Sequence, residues 1–387
     1  MKIAFCLEYP IGQHGGTEVL VAELIRGLGT RHRILLVSSD DPAALARSPV
    51  AELVAEHISW PEDKSSRHRA RELAGKISAA RPDLIHFHFG GNYAWGNRLP
   101  FHCPVYHLRR SGIPCLSTVH LVVSLTHGYS DPRWPLWYKL LRLPLAWWGK
   151  MQQLRDVRFE IAVSQTAWQK LRRWYWPLRK RFLQIYHSRL PLTFATSAQG
   201  RRQPIILNVG HIAERKGQTV LVEAFAQVAA SHPEWTLQLV GPDGGGGARQ
   251  RLQDIVNLHK LADRVLLTGP HPNVDQLMSQ AAIFVQPSFH EGLPLSLQEA
   301  LFYGCACVAT GIEGNAELVE DEHSGLLVPA GDVERMAEAL IRLIQSPPLR
   351  ERLAANGHSG ILDKKMTAPQ MIETHEQLYA SLLRAGS

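Results

Sequence analysis

The chain has 387 residues, enough for two or three domains, and with 45% apolar and 20% charged residues it is excluded from the largely disordered class. The 42 Lys+Arg exceed the 35 Asp+Glu, but the excess is local. Residues 133–181 carry 12 Lys/Arg, two acids (Asp156 and Glu160) and seven of the ten tryptophans, so an anionic partner is expected to dock there. Five cysteines without a C-x-x-C pair exclude a disulfide scaffold and a cysteine-based zinc centre. Residues 1–7 are too short an apolar run, too soon followed by Glu8, for a signal peptide. The best candidate span, 134–148, is broken by Lys139, Arg142 and two prolines. A soluble or peripheral protein of the reducing cytoplasm is expected.

Short apolar runs alternate with helix-period segments. Residues 3–7 read as a buried strand, followed by a glycine turn and a helix from Glu18 with Val19, Leu20, Leu24, Ile25 and Leu28 inward. Further strands are expected at 34–37, 84–89, 115–119 and 161–163. A polar stretch at 194–204 reads as a linker. The pattern then restarts, with strands at 205–209, 237–240, 265–267, 283–286 and 307–309 and helices between them. The expected fold is α/β: two facing, doubly wound, Rossmann-like domains with a ligand-binding cleft between them.

Three segments can carry chemistry. Gly15 and Gly16 follow the first strand and open the first helix, where backbone amides can approach a phosphate or sugar; a plain tight turn is the alternative. Arg215 and Lys216, just after the first strand of the second half, suit a diphosphate, the alternative being two solvated cations. In the third, Glu291 and Glu299 are separated by seven residues around Gly292 and Pro294. Pro294 can start a helix, so Glu291 falls in the loop and Glu299 on the helix, and amides such as that of Leu295 would face phosphates. His86 and His88 lie two apart on a strand with no third ligand in view, and a metal site is not expected. The run 244–247 reads as a flexible turn, and the absence of G-x-G-x-x-G counts against a nicotinamide enzyme.

The whole set resembles the retaining, GT-B-fold glycosyltransferases of family 4, which use nucleotide sugars. The likeness rests on the Gly-Gly-x-Glu start, residues 82–88, Ser117 to His120, the 209–217 stretch, Glu-x7-Glu, and 325–329 before Asp332. It implies that Gly15, Gly16, Leu293 and Leu295 contact the donor and that Arg215 and Lys216 hold its pyrophosphate. It likewise implies that Glu291 binds donor-sugar hydroxyls, Glu299 the ribose, and His120 lies near the transferred sugar. His211 departs from the family, where many members carry arginine, which leaves the phosphate role to Arg215. The implied domains are an acceptor-binding 1–193, a linker 194–204, a nucleotide-sugar-binding 205–367, and a helix 368–387 that crosses back to the first domain.

The function expected is transfer of a sugar from a nucleoside diphosphate sugar to a lipid, lipid-linked glycan or polysaccharide, with no metal and no other cofactor. A sugar-nucleotide epimerase and a non-catalytic sugar-nucleotide-binding protein are the alternatives. Arg172, Arg173, Arg179, Lys180 and Arg181, interleaved with tryptophan, have the composition of an interfacial segment and are expected to meet an anionic membrane and its acceptor. The bland alternative packs those tryptophans into the core. Nucleic acid is not expected, because no binding module accompanies the charge.

Overall fold

A computed structural model describes residues 1–12, 15–60, 66–91, 99–122, 135–191 and 202–386. The chain forms two compact units: Met1–Arg189 together with Ala368–Ser387, and Leu190–Thr367. Most of the expected linker lies outside the described residues.

The first unit is built on seven parallel strands. They are β1 (Lys2–Leu7), β2 (Arg33–Ser38), β3 (Val54–Ser59), β4 (Leu84–Phe89), β5 (Cys115–Val119), β6 (Phe159–Ala162) and β7 (Phe182–Gln184), in the order β3-β2-β1-β4-β5-β6-β7. Every residue of β4 and β5 is buried, the polar His86, His88, Ser117 and Thr118 among them, so neither strand has a solvent face. The edge strands escaped the sequence reading for the opposite reason. No residue of β3 is fully buried, and β7 has three residues, so neither shows the two-sided burial that leaves a signature. The helix Ala368–Gly386 packs on this unit: a Cβ at Gly27, on the helix Gly16–Leu28, would sit 2.3 Å from the side chain of Ile372.

The helix Leu136–Asp156 tolerates Pro144 and is pinned from beneath. Lys150 reaches Glu160 on β6 at 2.7 Å, both side chains being fully enclosed, and Ser117 and Gln153 each donate to the same carboxylate oxygen at 3.0 Å. A buried ion pair of this kind adds little net stability but is costly to break on one side, so it fixes where the helix lies.

The second unit holds β8 (Gln203–Val209), β9 (Thr236–Val240), β10 (Val265–Gly269), β11 (Ala281–Gln286), β12 (Ala306–Thr310) and β13 (Leu326–Val328), ordered β10-β9-β8-β11-β12-β13 and all parallel. β8 begins at Gln203, inside the stretch expected as linker. β13, with three residues, was missed in the sequence.

Candidate active site

In each sheet the strand order reverses once, between β1 and β4 and between β8 and β11. Loops leaving the carboxyl ends of such strands splay apart, which makes those two points the natural places for a ligand.

At the second of them, the turn Glu214–Lys216 after β8 is locked to the loop after β11. The Phe289 amide donates to the Arg215 carbonyl at 2.8 Å. Gly217 closes the turn at φ 66°, and a Cβ there would meet the Pro287 carbonyl oxygen at 2.1 Å, so both conformation and contact require glycine. This junction sets Lys216 Nζ 2.6 Å from Glu291 Oε1, with side chains 14% and 9% exposed. Gln286 Nε2 at 2.9 Å and Ser288 Oγ at 2.7 Å donate to the same Oε1. Three donors thus converge on one oxygen, which leaves Oε2 to receive a hydrogen bond from a ligand. Burial alone pushes the Glu291 carboxyl up, but the charge and hydrogen bond of Lys216, the Ser288 hydroxyl and the charge of Arg215 together hold it below the ordinary glutamate value.

Behind this pair runs a supporting chain. Ser296 Oγ donates to Gln286 Oε1 at 3.1 Å, and Thr310 Oγ1 donates to the Ser288 carbonyl at 2.6 Å. Arg215 is exposed, Leu293 and Glu299 are buried, and Leu295 is half-buried as the first residue of the helix Leu295–Phe302 that Pro294 caps.

At the first unit's reversal point, Gly15 and Gly16 stand at the start of the helix Gly16–Leu28. A Cβ on Gly15 would lie 2.1 Å from the Glu18 carboxylate, whereas one on Gly16 would meet nothing within 4 Å. A side chain at Gly15 would have to displace the end of the Glu18 side chain, whereas one at Gly16 would enter open space. Ile11 and Gly12, in the same loop, donate their amides to buried Asp40 at 2.7 and 3.4 Å. His120 follows β5, half-buried, its Nε2 3.2 Å from His88 Nδ1 on β4.

The two halves match two family descriptions: "Glycosyltransferase Family 4" over residues 14–203 and "Glycosyl transferases group 1" over residues 193–359. The chain belongs to this family of glycosyltransferases. Among curated relatives, Alpha-D-kanosaminyltransferase of Streptomyces kanamyceticus is 33% identical over 156 residues, 40% of each chain. The lipopolysaccharide core biosynthesis glycosyltransferase LpsE of Rhizobium meliloti is 29% identical over 178 residues, 46% of this chain and 50% of that one. The matched stretch thus spans half or less of these relatives' length. In fold, the chain is similar to Anabaena Alr3699/HepE in complex with UDP, with a TM-score of 0.76 at 19% identity, covering 98% of this chain and 100% of that one.

Within this glycosyltransferase the second unit brings Lys216 and Glu291 into contact, with Arg215 one residue away. In the sequence these residues stand in two separate segments, with nothing to show that they touch. Gln286 and Ser288, which orient Glu291, were overlooked; their only signal was polarity at the end of an apolar strand. His86 and His88, which lacked a visible third partner in the sequence, lie in one group with buried His187 and His375 and half-buried His120. Ring centroids are 4.2 Å apart for His86–His88, 5.5 Å for His88–His120, 5.4 Å for His120–His187 and 5.3 Å for His187–His375. Among the described residues, no group of three or more His, Cys, Asp or Glu side chains is arranged to hold a metal ion.

The tryptophan-rich basic segment divides in two. Trp147 and Trp168 donate their indole N–H groups to the Trp174 and Phe182 carbonyls at 2.9 and 3.0 Å, and these three tryptophans pack on a core of Val119, Met151, Leu171 and Tyr175. Arg172 stacks over Trp168 at 4.1 Å, and Arg181 donates to the Val157 carbonyl at 2.7 Å, so both cations have structural work. Trp137, Leu140, Leu141, Leu145, Trp148 and Trp176 are exposed, as are Arg173, Arg179 and Lys180. Trp134 lies outside the described residues. No described helix is long and apolar enough to cross a membrane.

Proposed function

We propose that this chain moves a sugar from a nucleoside diphosphate sugar to a lipid, lipid-linked glycan or polysaccharide acceptor, with retention of anomeric configuration and without a metal. The observation that carries this reading is the Lys216–Glu291 pair at the carboxyl ends of β8 and β11. Lys216 has two N–H groups beyond the one given to Glu291, and with Arg215 it meets the negative charge that grows on the leaving diphosphate. Glu291 Oε2 accepts from a sugar hydroxyl. As the bond from the anomeric carbon to phosphate oxygen breaks, its electron pair stays on the diphosphate. The acceptor oxygen bonds to that carbon on the same face, and its proton passes to the departing phosphate oxygen. Fixed cations stabilise this charge more in the transition state than in the ground state, which is what accelerates the step. The UDP held by a protein of the same fold supports a nucleoside diphosphate as the leaving group.

The test is a thermal-shift screen of nucleoside diphosphate sugars, followed by transfer with the stabilising donor in excess chelator and determination of the product's anomeric configuration by NMR. Retained configuration in chelator is expected. Complete, metal-reversible loss would reject the metal-free reading, and sugar-nucleotide interconversion without acceptor would make the protein an epimerase. Glu299→Ala is expected to weaken nucleotide stabilisation with little change in turnover at saturating donor, measured by the same thermal shift beside steady-state rates.

The exposed apolar face of the helix Leu136–Asp156, with Trp176 and three exposed cations nearby in sequence, supports a peripheral seat on an anionic membrane. Each cation at such a surface contributes about 1 kcal/mol. Sedimentation with liposomes is expected to require anionic lipid, weaken with salt, and fall when Arg173, Arg179 and Lys180 are neutralised or Trp137, Trp148 and Trp176 are changed to serine. Indifference to all of these would leave a soluble acceptor.

A further inference from the structure

We infer that His88 is a positioning residue for His120: its Nδ1–H bonds His120 Nε2 and so fixes His120 as the tautomer that carries its proton on Nδ1, a hydrogen-bond donor presented to the sugar being transferred. The inference rests on the proposed function, under which the family resemblance implies that His120 lies near the transferred sugar.

The geometry comes from the sheet. His88 is the fifth residue of β4 and pairs in register with Thr118 of β5. One step further, the His120 amide donates to the Phe89 carbonyl at 3.0 Å, tying the residue after β5 to the last residue of β4. The two rings are thereby held at 3.2 Å, Nδ1 of His88 to Nε2 of His120. One of these nitrogens must carry the shared proton.

His88 decides which. Its side chain is fully buried, and its Nε2 has no partner among the described residues. If His120 were the donor, His88 would carry its own proton on Nε2, a buried N–H with nothing among the described residues to accept it. If His88 is the donor, Nε2 is only a bare lone pair. Orphaned buried donors are rarer than under-used acceptors, because a donor stripped of water loses its single strong interaction outright.

His375 shows the same choice made without ambiguity. Its Nδ1 must be protonated to bond the Met371 carbonyl at 2.8 Å, which leaves Nε2 as a lone pair that likewise lacks a partner. His86, between them, is satisfied on both sides by the Tyr379 hydroxyl at 2.6 Å and Thr118 Oγ1 at 2.8 Å. With Nε2 occupied, Nδ1 is the His120 nitrogen left to meet a substrate. It offers a proton to a hydroxyl or phosphate oxygen and cannot accept one.

The experiment uses the full chain labelled with 15N-histidine and two-bond 1H–15N spectra, His120 being assigned by its loss in His120→Gln. Wild type is expected to show His120 protonated on Nδ1. His88→Phe is expected to release that tautomer into a mixture and to lower kcat ~10- to 100-fold, by analogy with the loss of groups that orient metal-ligating histidines. His88→Asn, whose amide N–H stands where Nδ1–H stood, is expected to restore both. A wild-type His120 protonated on Nε2 overturns the inference, and this spectrum decides it even if His88→Phe does not fold. A tautomer lost in His88→Phe with transfer unchanged would instead remove His120 from the transfer site, a failure of the functional reading and not of the His88–His120 bond.

Discussion

Replacing Lys216 with alanine is expected to slow sugar transfer ~30- to 1,000-fold, a loss of ~2–4 kcal/mol of transition-state stabilisation, as for removal of one preorganised donor. The same substitution leaves Glu291 buried with Gln286 and Ser288 but without its cation. Burial is the largest influence on that carboxyl and pushes it up, opposed chiefly by Lys216. Without Lys216 the Glu291 pKa rises, so the acid limb of the rate profile is expected to move to higher pH, and the melting temperature to fall. Arg215→Ala, at an exposed position, is expected to cost a similar factor in rate with no change in melting temperature. Steady-state rates against pH, beside thermal melts, separate the two roles. Full activity in the double variant would reject the assignment of both cations.

The fold was legible where strands are covered on both faces, since β1, β11 and β12 read as apolar runs and β4 and β5 as short apolar segments interrupted by His86, His88, Ser117 and Thr118. It was illegible at β3, β7 and β13, where edge position or brevity erases the pattern. The site residues of the second unit were legible as types because turn glycines and a helix-starting proline frame them. Their contact was not, since Lys216 and Glu291 lie 75 residues apart and meet only through the parallel register of β8 and β11. The interfacial segment was read from composition alone, which counts Arg172 and Arg181 with the rest. Their partners, an indole face and a backbone carbonyl, are tertiary facts. The histidine group is the clearest case. Its members come from β4, from just after β5 and β7, and from the last helix, and only the pair on β4 is close in sequence.

That group sets an expected acid lability. Burial, first, and then the charges of neighbouring histidines lower His86, His88 and His187 far below the ordinary value. Burial brings His120 to about 3 and His375 to about 4, the latter raised slightly by its bond to the Met371 carbonyl. The unfolded chain titrates near 6.5. Above that value both states are neutral and the group contributes nothing to the pH dependence. Below it the unfolded chain takes up protons that the folded unit refuses, so stability must fall as the pH drops. One unit below the unfolded value, each such histidine costs on the order of 1 kcal/mol, so the group together removes several kcal/mol, a large share of an ordinary domain's stability. Urea unfolding of the full chain is expected to show a midpoint that is flat from pH 8 to 7 and falls steeply from 6.5 to 5.5. His187→Phe and His375→Phe, each removing one refused proton, are expected to shallow that fall by about a fifth, whatever they do to the midpoint at pH 8. A midpoint unchanged between pH 7 and 5.5 would mean that the buried histidines accept protons in place, and the lone pairs on His88, His187 and His375 would then be the sites that take them.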